Sequence, residues 1–215
     1  MSRLMRSPKE RGSWFWDLDE FAPPGLESAL SVAARICDAL ARIELLAPAR
    51  ITYDWYVPGA GTTGIISTLD LARTPLGDPA LPGSVRGSRP IAHPSAEVAE
   101  VDVLGSGIWI DAEGQPRTEY RLVDLSLSTA PVGLSAELSV HHDIWGCYDF
   151  AGHPHPEVHR NNAPRLAAAL RDLTELFGMP PEPGERTYFG ASTVDGVADP
   201  DPDENGLGPD LTSRL

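Results

Sequence analysis

Just after Leu46 the chain changes its period. From Leu26 to Leu46, the residues Leu26, Leu30, Ala33, Ala34, Cys37, Leu40, Ala41 and Leu45 recur at helical spacing, while Glu27, Ser31, Arg35, Asp38 and Arg42 fall mostly off that stripe. The pattern predicts an amphipathic helix. "RITYDWYV" (50–57) then alternates Ile51, Tyr53, Trp55 and Val57 against Thr52, Asp54 and Tyr56, the period of a half-buried strand. Helical spacing returns in "NNAPRLAAALRDLTELFG". There Asn161 and Asn162 offer a cap, Pro164 fits the first turn, and Leu166, Ala169, Leu170, Leu173, Leu176 and Phe177 form the stripe. Gly178 ends it, with Pro180 and Pro181 beyond.

Strand patterns fill the space between the two helices. "EVAEVDVLGSGIWI" alternates and carries a Gly105/Gly107 kink that suggests a bulge; "DAEGQP" is a turn; "TEYRLVDLSLST" alternates with a phase shift near Val123. "APVG" turns again, and "LSAELSVHHDIWGCYDF" reads as the next strand, with "TYFGAS" as a short edge strand near the end. This order of elements predicts an α+β fold. Its centre is an antiparallel sheet of about five strands, a β-meander, with an N-terminal and a C-terminal helix packed on one face.

The 21 prolines and 20 glycines predict long loops, chief among them 73–95. The chain divides into a loose basic N-terminus (1–12), a single α+β domain (13–194) and an acidic, proline-rich tail (195–215) too poor in large apolar residues to hold structure of its own. Gly59, Gly61 and Gly64 in "PGAGTTG" match the glycine spacing of a dinucleotide-binding loop. However, "IISTLDLA" follows as a strand where a helix is required, so a hairpin loop is the better reading.

A net charge of −14, with Lys9 as the one lysine and the arginines scattered, excludes the clustered positive surface a nucleic-acid binder needs. No segment reaches the roughly 18 apolar residues of a membrane span, and no apolar run follows the basic N-terminus. Cys37 lies on the helical stripe, and Cys147 sits in an unlike setting far away, so no disulfide framework is expected. The protein reads as cytoplasmic.

Five of the six histidines and Cys147 fall within "SVHHDIWGCYDFAGHPHPEVHR". Imidazole and thiolate are transition-metal ligands, so His142, His155, His159 and Cys147 are the candidate set for zinc or another divalent metal. Consecutive His141 and His142 in a strand point to opposite faces, so at most one of them can join a common site. His155 and His159 approach the H-E-x-x-H pattern, but Glu157 is one place out and the helix is expected only from Asn162. Asp199, Asp201, Asp203 and Asp210 imitate a calcium loop without its glycine. No nucleophile elbow is present, and nothing in the flanks of Cys147 would activate a thiol.

These features favour a non-catalytic domain that needs no cofactor and binds a basic protein, with no nucleic acid and no membrane as partner. In size, charge and layout the chain resembles the immunity proteins of bacterial toxin systems, small acidic α+β domains that cover a toxin's active site. The resemblance implies a basic toxin or nuclease as partner. Trp14, Trp16, Trp145 and Tyr148 are the candidate aromatic anchors for it. The alternative is a metal-dependent hydrolase or small-molecule enzyme built on 141–159.

Overall fold

The structure, a computed structural model, describes residues 4–129 and 133–215. Residues 1–3 of the expected loose N-terminus and most of the "APVG" turn lie outside the described residues. The elements run β1 (Gly12–Asp17), α1 (Leu26–Arg42), β2 (Ala47–Val57), β3 (Gly61–Asp70), α2 (Leu81–Gly87), β4 (Glu97–Ile110), β5 (Pro116–Tyr120), β6 (Asp124–Ser128), β7 (Ser135–Val140), α3 (Pro156–Phe177), β8 (Glu182–Pro183), β9 (Ser192–Thr193) and β10 (Gly196–Val197).

The fold is α+β with an antiparallel sheet of eight strands, ordered β3-β2-β4-β6-β7-β1-β8, with β5 paired to β4. Three strands more than expected come from divided or unread segments. "TEYRLVDLSLST" breaks at Arg121, whose φ of 56° turns the chain between β5 and β6. Trp14 and Trp16 of β1 point into the core while Phe15 between them faces outward, so the cluster of aromatics hides the alternation of a strand. The loop 73–95 also contains α2, which buries Leu81 and Val85. "TYFGAS" forms no strand with the sheet; β9 and β10 pair only with each other.

One face of the sheet, carrying Ile51, Tyr53, Trp55, Val101, Val103, Leu125, Leu127, Leu138, Trp14 and Trp16, joins the apolar stripes of α1 and α3 in a single core. Helix α1 packs on β2, β4 and β6, and α3 on α1 and β4. Two glycines permit the tight corner between α1 and the sheet. A Cβ at Gly105 would overlap the Ala47 carbonyl, and one at Gly107 the Leu45 carbonyl. The bulge expected near them lies on the partner strand, where β2 slips register between Pro48 and Arg50.

Helix α3 begins six residues before Asn162, the expected start. Pro156 takes the first-turn position, and Pro164 sits inside the helix, where the missing N–H costs on the order of 3 kcal/mol. Asn162 is therefore no cap. Fully buried, it accepts the Ile110 N–H (2.9 Å) and donates to the Ile110 carbonyl (2.7 Å) and the Val158 carbonyl (2.8 Å). It acts as a strand neighbour for the end of β4.

Among the described residues, segments near both ends of the chain hold to the body. Ser7 donates its backbone N–H to the His141 carbonyl at 2.9 Å and Arg11 to that of Val140 at 2.8 Å. The tail expected to lack structure crosses the 146–155 segment: Gly208 N–H bonds the Gly152 carbonyl at 2.9 Å, and Leu211 N–H the Phe150 carbonyl at 2.7 Å.

Candidate functional site

Strand β7 ends at Val140, short of the expected run to Phe150, because the next residues turn inward. His142 is buried, and Asp143–Trp145 form one turn of 3-10 helix. Arg11 crosses beneath this turn, donating to the Asp143 carbonyl (3.0 Å) and the Tyr148 carbonyl (3.1 Å) with its guanidinium over the Phe150 ring. Gly146 is required there, since a Cβ would occupy the place of that guanidinium. Burial lowers Arg11 to about 10, so it remains a cation at neutral pH. The Asp143 carboxyl accepts the Met5 N–H at 3.2 Å, but its Oδ2 has no hydrogen-bond partner among the described residues, and burial pushes it up to about 6. His142 is pushed down to about 4 by burial, with the Arg6 charge adding to the effect.

Beyond Gly146 three donors from three parts of the chain meet. Cys147 lies in the loop after the 3-10 turn, His159 on the first turn of α3, and Asp199 just past β10. Cys147 Sγ stands 3.3 Å from His159 Nδ1 and donates to Asp199 Oδ2 at 3.0 Å. The other carboxylate oxygen of Asp199 accepts the Cys147 backbone N–H at 2.6 Å, which fixes the direction of the first. All three ligand atoms lie within 4.8 Å of one another. Burial and the adjacent Asp199 push the thiol up to about 11. The carboxylate faces the thiol and does not orient the imidazole, so this is not the arrangement of an activated cysteine nucleophile.

Of the expected metal set, Cys147 and His159 come together. His142 is enclosed in the core, and His155 directs Nε2 to the Gly146 carbonyl at 2.7 Å, so neither belongs to the cluster. In the sequence Asp199 stands out only as part of the calcium-like loop. The acids of that loop serve the backbone instead: Asp203 accepts N–H groups of Asn205 and Leu207, and Asp210 that of Thr212. Trp14, Trp16 and Trp145 are core residues, 0–1% exposed, which removes them as surface anchors; only Tyr148 is partly accessible. Gly59, Gly61 and Gly64, all at positive φ, lie at the turn end of the β2–β3 hairpin.

The second feature is the sheet face turned away from α1 and α3. Across it Thr52, Asp102, Ser126, Glu137, Phe15 and Glu182 stand in register on six neighbouring strands, with Asp54, Glu100, Ser128 and Ser135 in the next rank. Thr52 and Ser126 both donate to Asp102. Partial burial raises Glu100, and Asp102, Asp54 and Glu137 add repulsion. Partial burial likewise raises Glu137, with Glu10 contributing. Among the described residues none of Asp54, Glu100, Asp102 and Glu137 forms an ion pair. The nearby cations Arg6 and Arg121 are both held by Asp124, at 2.7 and 2.8 Å.

No family model, curated protein or solved structure matches this chain. No helix among the described residues is long and apolar enough to cross a membrane.

Proposed function

We propose that this protein is a non-catalytic binding module that takes a basic protein partner against the open face of its sheet. The observation that carries the reading is the group Asp54, Glu100, Asp102 and Glu137 on adjoining strands, none of them in an ion pair among the described residues, with Glu100 held at a cost set first by partial burial and then by repulsion from its acidic neighbours. A partner that supplies lysines or arginines would relieve that cost, and the net charge of −14 would steer its approach. Phe15, 37% exposed in the same rank, gives the face a flat apolar contact. An immunity-type role, covering the active site of a basic toxin or nuclease, is the form of this function that size, charge and layout favour.

Zero-length carboxylate-to-amine cross-linking in the native cell tests the proposal, followed by mapping of the joined peptides. The expected result is one basic protein whose lysines join Glu100, Asp102 or Glu137, with the adducts lost in high salt. Adducts confined to the tail acids, or scattered over many proteins, would overturn it.

A further inference from the structure

The donor set at Cys147, His159 and Asp199 has a geometry of its own. With zinc bonds of about 2.3 Å to sulfur and about 2.0 Å to nitrogen or oxygen, the edges of a tetrahedral site measure roughly 3.5 Å. The two edges at Cys147 Sγ, 3.3 Å to His159 and 3.0 Å to Asp199, are within a small adjustment of that value. The ligands are held by separate devices: His159 by the first turn of α3, Asp199 by the Cys147 backbone N–H, and Cys147 by its carbonyl, which accepts the His155 N–H at 2.9 Å. Hydrogen-bonded ligands of this kind are what a metal site needs in its surroundings. A groove of about 390 Å³ between α3 and the β9–β10 hairpin is lined by His159 and Asp199 together with Trp145, Arg160 and Val197. The fourth position of the tetrahedron therefore has access to water.

We infer that Cys147, His159 and Asp199 bind one zinc ion, with water as fourth ligand, and that the metal fastens the C-terminal segment to the body of the domain. Thiolate, imidazole and carboxylate together select a borderline ion of this kind over calcium or magnesium. On binding, the sulfur–zinc bond replaces the S–H bond and the proton passes to solvent. The metal joins residues 52 positions apart, Cys147 and Asp199, and so closes a loop that spans all of α3. The site stands independently of the partner-binding reading.

The test uses the full untagged chain, titrated with zinc against a chromophoric chelator and separately with cobalt(II) as a spectroscopic probe. One equivalent should bind, with a cobalt–thiolate charge-transfer band. Zinc should also slow proteolysis between residues 195 and 215. Cys147→Ser should abolish the band, and His159→Gln or Asp199→Asn should each weaken binding at least about 100-fold, while His142→Gln leaves it unchanged. Asp199 lies on the surface, so its variant tests the site even if Cys147→Ser folds poorly. Absence of stoichiometric binding would overturn the assignment, as would binding that survives both Cys147→Ser and Asp199→Asn.

Discussion

At the scale of single residues, two buried polar side chains decide much of the local structure. Asn162 satisfies both backbone groups of Ile110, so Asn162→Ala would leave a buried N–H and a buried carbonyl without partners. Each such group costs about 1–3 kcal/mol, and the variant should lose roughly 2–4 kcal/mol in a urea titration; a loss under half a kilocalorie would refute this role. Asp143 and His142 make opposed contributions to stability. Asp143 is raised to about 6, so its ionised form costs the fold roughly 3 kcal/mol at neutral pH, a cost relieved as pH falls through 6. His142 is lowered to about 4, so the unfolded chain takes up its proton first and stability is lost as pH falls from about 6.5 towards 4. Relative to wild type, Asp143→Asn should therefore lose its advantage on acidification from pH 7 to 4.5, whereas His142→Gln should gain. Thermal melts across that range measure both differences, and two flat profiles would contradict the assignment.

At the scale of elements, what the sequence discloses depends on how far apart the cooperating residues stand. Helix α1 and strand β2 were legible because their periodic patterns are local and one-sided: the stripe Leu26–Leu40 and the alternation Ile51–Tyr53–Trp55 face one core. The start of α3 is ambiguous in the sequence because Pro164 and Pro156 offer the same first-turn signal, and only tertiary contact shows which one serves. Strand β1 was hidden by Phe15, whose apolar side chain faces outward on the open face. The cluster at Cys147 was half legible: its histidine lies twelve residues on, but Asp199 comes from a segment whose composition gave no reason to place it there. The acidic ranks on the sheet were not legible at all, since they exist only once the strands are paired. The partial burial that raises Glu100, with repulsion from the neighbouring acids added, gives an element-scale prediction. Glu100 is raised, so the folded state loses stability as pH rises through its titration range, and Glu100→Gln should melt higher than wild type at pH 7. A lower melting temperature would show that the carboxylate is favourably placed.

At the scale of the whole molecule, the chain spends its two sheet faces differently. One is sealed by α1 and α3 over tryptophan, tyrosine and many aliphatic side chains; the other is left open with Asp54, Glu100, Asp102 and Glu137, none of which forms an ion pair among the described residues. An open acidic face of this kind suits the proposed use, attraction of a basic protein. The most direct measurement compares wild type with the variant Asp54→Asn, Glu100→Gln, Asp102→Asn, Glu137→Gln, titrating each by calorimetry with the cross-linked partner at low and high salt. The account predicts a variant that is at least as stable as wild type, binds at least about tenfold more weakly at low salt, and has lost most of the salt dependence. Equal affinity and an unchanged salt dependence in a well-folded variant would contradict it.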